Sequence, residues 1–61
     1  MRIKKEAIYS NGIVNFKIIK IYKKEKRIYC EVIYNENYKD RVILNISSFK
    51  KIRNIKEIKI L

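Results

Sequence analysis

The sequence predicts a mainly β fold: a single small domain over residues 1–61, with five short strands and a helical turn before the last. Three features carry that expectation. Residues Arg27 to Asn35 alternate, with Ile28, Cys30, Val32 and Tyr34 on one face and Arg27, Tyr29, Glu31 and Ile33 on the other. A period of two in β-branched and aromatic residues marks a half-buried strand. Arg41 to Ile46 repeats the pattern, with Val42, Leu44 and Ile46 inward. Asn11-Gly12 lies between two β-rich runs, and both central positions of a type I′ hairpin turn need a positive φ, which Asn tolerates and Gly permits freely.

Taken in order, the first four strands fall near residues 3–9, 13–22, 27–34 and 41–46. In the second, Val14, Phe16 and Ile18 share a face until the phase slips at Ile18-Ile19, after which Ile19 and Ile21 take over. A β-bulge or sharp bend there reconciles the two halves. Lys23-Lys24-Glu25-Lys26 is a short polar connection to the third strand, and Asn35 to Asp40 has the Asn/Asp content of a turn.

The C-terminal segment admits two readings. Ile46, Phe49, Ile52, Ile55, Ile58 and Leu61 step by three, which drifts around an α-helix instead of holding one face. In the preferred reading Ser47 or Ser48 caps a helical turn over 48–53, and a fifth strand at 55–60 closes the sheet. In the alternative, a continuous helix lies across the open end.

The span from Lys17 to Ile52 runs bent strand, polar turn, alternating strand, turn, alternating strand and a short Ser/Leu-rich helical turn. In this rhythm the chain resembles the SH3-like small β-barrels, and the Tudor-like pattern in particular. The resemblance implies a five-stranded barrel that binds DNA, RNA or protein segments across a strand face and its loops. Methyl-reading Tudor domains carry an aromatic-Asp-Tyr-Gly segment after the middle strand. The matching stretch here, Tyr34-Asn35-Glu36-Asn37-Tyr38, has neither the Asp-Tyr pair nor the Gly, so no aromatic cage carries over.

Composition narrows the chemistry. Sixteen Lys and Arg stand against six Asp and Glu, giving +10, with no His and one Cys. Most zinc sites, every Ser-His or Cys-His dyad and any internal disulfide are thereby excluded, and no metal or cofactor is expected. No apolar run approaches the roughly 18 residues of a membrane-spanning helix, and no signal-peptide pattern precedes the fold. The expectation is a soluble cytoplasmic module without a membrane partner. Codon bias in an A/T-rich genome would account for much of the fourteen Ile, twelve Lys and six Asn, but it also favours Glu and Asp and does not by itself produce a charge excess of one sign. A ten-charge excess of one sign costs a small domain stability through self-repulsion and calls for an anionic partner.

The charge is uneven. Residues 17–27 carry +5 and residues 41–61 another +5, whereas 28–40 carry −2 and 1–16 carry +2. The turn Lys23-Lys24-Glu25-Lys26-Arg27 reads as a phosphate clamp, or else as a solubilising hairpin tip. Lys17 and Lys20 lie on the strand entering it. Arg27 and Tyr29 lie on the outward face of the strand leaving it, where a cation beside a ring suits phosphate contact and base stacking. Lys50, Lys51, Arg53 and Lys56 form a second cluster that either extends this stripe or stands apart. Cys30, in phase with Ile28 and Val32, reads as core. Glu36 and Asp40 read as a solvated turn and not as a catalytic pair.

No catalytic residues are expected. The preferred function is nucleic-acid binding through phosphates, with low sequence specificity because Arg is scarce. The alternative is a protein-binding barrel, an accessory subunit or inhibitor of a nucleoprotein or nuclease machine, that seats on an acidic protein surface. A homo-oligomeric ring of such domains is a third arrangement.

Overall fold

The computed structural model describes residues 2–60, with side chains as far as Ile58. Leu61, the last member of the step-of-three series, lies outside the described residues. The elements run β1 (Ala7–Ser10), β2 (Asn15–Tyr22), β3 (Arg27–Asn35), β4 (Tyr38–Asn45), α1 (Ile46–Lys50) and β5 (Lys56–Ile60). All neighbouring strands are antiparallel, in the order β4-β3-β2-β1-β5. The expected mainly β fold with a short helix before the last strand is therefore present. The expected fifth strand is there as β5, paired with β1, but it does not close the sheet: β4 and β5 remain its two edges.

The core sits on one face of that sheet. Ala7 and Tyr9 from β1, Phe16 and Ile18 from β2, Ile28, Cys30 and Val32 from β3, and Phe49 from α1 are all buried. Val42, Leu44 and Ile46 pack against them as partly buried residues, in the expected phase. Phe49 occupies the middle. Its ring meets Tyr9 and Phe16 edge-on, each with centroids 5.5 Å apart, the arrangement favoured by aromatic quadrupoles.

The helical turn arises two residues earlier than the serines suggest. Asn45 is the N-cap, without a side-chain cap bond. The Ile46 N–H is instead satisfied by the Lys26 carbonyl at 2.9 Å, a tertiary partner that makes a serine cap unnecessary. Beyond Lys50 the chain tightens into i to i+3 turns, from Lys51 N–H to Ser48 and from Ile52 N–H to Phe49. Asn54 at φ 64° then ends the helical path, which rules out the continuous helix.

Other boundaries also shift for local reasons. The first strand starts at Ala7 and not near residue 3, because Glu6 adopts φ 70° and the Ala7 N–H closes a turn onto the Lys4 carbonyl. Asn11-Gly12 does make a hairpin, but as a four-residue loop: only Gly12 has positive φ, at 93°. The Asn11 side chain explains the difference, since its Oδ1 accepts from both the Ile13 and the Val14 N–H at 2.9 Å. At the β3–β4 turn, Asn35 Oδ1 accepts from the Asn37 N–H and tightens the connection, so β4 begins at Tyr38 and the expected loop to Asp40 is mostly strand. A register shift between Ile33 and Asn35 carries Tyr34 out of the core to 46% exposure, against the inward placement expected from alternation.

Candidate nucleic-acid interface

The expected irregularity in β2 exists and decides where the lysines go. Pairing with β3 shifts between Ile18 and Lys20. In a regular strand Lys20 would share a face with Ile18 and point into the core, while Lys17 pointed outward. The extra residue reverses that phase, so Lys17 and Lys20 both lie on the face away from the core.

Across the sheet, Tyr22 pairs with Arg27, Lys20 with Tyr29 and Lys17 with Glu31. All three rows continue into β4, as Arg27 to Asn45, Tyr29 to Ile43 and Glu31 to Arg41. Lys20 Nζ lies 5.3 Å from the centroid of the Tyr22 ring, within cation–π range. Arg41 Nε lies 3.7 Å from Glu31 Oε2. The neighbouring Tyr29 phenol oxygen, and after it Glu31, raises the Arg41 pKa above its ordinary value. Ile43 is exposed beside Tyr29, giving the face an apolar centre.

At the end of the β2–β3 hairpin Lys23, Lys24 and Lys26 are all exposed. The Lys26 N–H donates to the Lys23 carbonyl at 3.3 Å, and Lys26 holds φ 56°. A left-handed conformation costs a non-glycine residue about 1–2 kcal/mol, here at the most basic point of the chain. The structure thus brings Lys17, Lys20, Arg27 and Tyr29 onto one face, with Lys23, Lys24 and Lys26 at its end.

Lys50, Lys51 and Arg53 are not part of that surface. They are exposed on the segment whose Phe49 packs against Tyr9 and Phe16 on the core side of the sheet.

Three further cations, Arg2, Lys4 and Lys5, were not singled out by sequence pattern. The segment that carries them folds back along the bent half of β2. Buried Tyr9 fastens it: its hydroxyl accepts from the Lys4 N–H at 2.9 Å and donates to the Arg2 carbonyl at 3.0 Å. The Glu6 N–H reaches the Ile18 carbonyl at the bulge. Between this segment and β2 lies a cleft of about 620 Å³. Arg2, Lys4, Lys5, Lys20 and Lys23 line it, with Ile3 and Ile21 as its apolar part.

Cys30 offers no reactive thiol. It is fully buried, and burial pushes its pKa up to about 11. Among the described residues no three His, Cys, Asp or Glu side chains come together, and no helix is long and apolar enough to cross a membrane. No family model, curated protein or solved structure matches the chain.

Proposed function

We propose that this chain is a non-catalytic nucleic-acid-binding module that contacts phosphates through its outer sheet face and basic hairpin end. The observation that carries the reading is the bulge that brings Lys20 beside Lys17, Tyr22 and Tyr29 on a face centred on exposed Ile43. Mobile ammonium groups follow a phosphate backbone, and adjacent rings accept stacked bases without selecting among them. Lys23, Lys24, Lys26 and Arg27 extend the contact, while Lys50, Lys51 and Arg53 belong to a separate basic side. The β1–β4 meander with β5 antiparallel beside β1 supports a relation to the SH3-like small barrels, which use the same kind of face. The test is fluorescence anisotropy with labelled single-stranded and duplex DNA and RNA of unrelated sequences. Comparable binding across sequences supports the proposal; no binding at about 100 mM salt, where the Debye length is about 10 Å, refutes it.

A second reading rests on the far end of the sheet. Tyr34 and Tyr38 stack with centroids 4.9 Å apart while remaining exposed, and Ile13 in the β1–β2 loop is 85% exposed. Such an apolar end suits a protein partner, as an accessory subunit of a nucleoprotein assembly would require.

A further inference from the structure

The cleft between residues 2–5 and β2 differs from the rest of the basic surface. At about 620 Å³ it has the size of a small-ligand site, which runs from about 300 to 1,000 Å³. Five of its seven lining residues are cations. Among the described residues the ion pair at this wall is Lys4 with Glu57, at 3.5 Å. The wall is also held in place. The Tyr9 hydroxyl bonds both ends of the Arg2–Lys4 segment, and the Ala7 N–H closes the turn behind it. Lys20 belongs to the cleft and to the outer face at once, so the two surfaces are continuous.

From this geometry we infer that the cleft receives the phosphorylated end of a nucleic-acid strand, a terminal phosphomonoester with its nucleotide. The inference rests on the nucleic-acid reading above and adds what that surface selects. An internal phosphodiester brings one negative charge. A terminal monoester brings about −1.5 to −2 at neutral pH, with three strong acceptor oxygens. Converging cations can use that additional charge and oxygen, and Arg2 supplies a fork of donors suited to a phosphate face. Ile3 and Ile21 give the terminal sugar and base an apolar contact. The body of the strand then leaves past Lys20 toward Tyr22 and Tyr29.

The experiment compares oligonucleotides of one sequence bearing a 5′-phosphate, a 3′-phosphate or only hydroxyl ends, each with an internal fluorophore. Free mononucleotide serves as competitor. One phosphorylated end should bind about tenfold tighter than the hydroxyl-ended strand, the worth of one added charge-assisted contact. In Arg2→Gln/Lys5→Gln that preference should vanish, while affinity for the hydroxyl-ended strand stays within about twofold. Displacement of the phosphorylated strand by mononucleotide at comparable concentration would show that the cleft reads a free nucleotide and not a strand end, and would overturn the inference. Equal binding of all three strands would also overturn it while leaving the nucleic-acid reading intact. Absence of binding by every strand would remove both.

Discussion

Replacing Phe49 by Ala tests the packing that holds the open sheet together. Phe49 is fully buried and provides two edge-on ring contacts, at interplanar angles of 87° and 88°. Truncation of a buried Phe to Ala costs about 3–5 kcal/mol through lost transfer energy and the cavity left behind. Two aromatic pairs worth about 0.5–1.5 kcal/mol each place this site in the upper part of that range. A chain of 61 residues has a total stability of about 3–9 kcal/mol at the usual value per residue. Phe49→Ala is therefore expected to remove much of that stability. Phe49→Leu, which keeps much of the volume but forfeits both ring contacts, should lose about 1.5–3 kcal/mol and remain measurable. The assay is urea unfolding followed by far-ultraviolet circular dichroism. With a slope near 1 kcal/mol per molar urea, the Leu variant's midpoint should fall by about 2 M and the Ala variant's by about 4–5 M. A loss under about 1 kcal/mol for Phe49→Ala would refute the assignment of Phe49 as the centre of the core.

Other perturbations reach different parts of the molecule. Lys23→Glu with Lys24→Glu should leave the fold intact, weaken nucleic-acid affinity at least about tenfold and lower the salt slope by about 2; unchanged affinity by anisotropy would take the hairpin end out of the interface. Lys26→Gly should raise stability by about 0.5–1 kcal/mol by relieving the left-handed backbone, and a lower melting temperature than wild type would contradict that strain. The Cys30 thiol, raised to about 11 from 9.0, keeps its proton longer in the folded chain than in the unfolded one. Its contribution is thus complete below about pH 9 and lost as pH rises from about 9 to 11. Stability measured over that window should fall more steeply for the wild type than for Cys30→Val, and identical profiles would argue against burial of the thiol.

Much of the sheet was legible because Arg27–Ile33 of β3 and Arg41–Asn45 of β4 alternate over residues whose partners sit directly across from them. The bulge was legible too, since Ile18-Ile19 breaks that alternation in the sequence itself. What failed to show were features decided by a single hydrogen bond or register shift that periodicity does not encode. The Asn11 side chain captures two backbone N–H groups and enlarges a turn that the Asn-Gly pair alone would have made tighter. The Lys26 carbonyl replaces a serine cap and starts α1 early. Tyr34 escapes the core because a second register shift follows Ile33, and no interruption in the pattern signals it.

The candidate site divides in the same way. Lys17, Lys20, Arg27 and Tyr29 could be grouped from strand phase, given the bulge. That Lys50, Lys51 and Arg53 sit on a segment over the core side of the sheet follows only once Phe49 is seen against Tyr9 and Phe16. The cleft was hidden because Arg2, Lys4 and Lys5 reach β2 through the hydroxyl of Tyr9, a contact that period and composition do not encode. The one available signal was the burial phase of Tyr9 itself, a tyrosine whose hydroxyl would need a partner if its ring lay in the core.

The most direct measurement is the salt dependence of nucleic-acid affinity for the wild-type chain, on whichever strand type it binds tightest. If several phosphates engage the outer face and hairpin end, log K should fall linearly with log salt at a slope of about −3 to −6. A slope near zero, or no binding at about 100 mM salt, would contradict phosphate recognition and leave the basic face to an acidic protein partner.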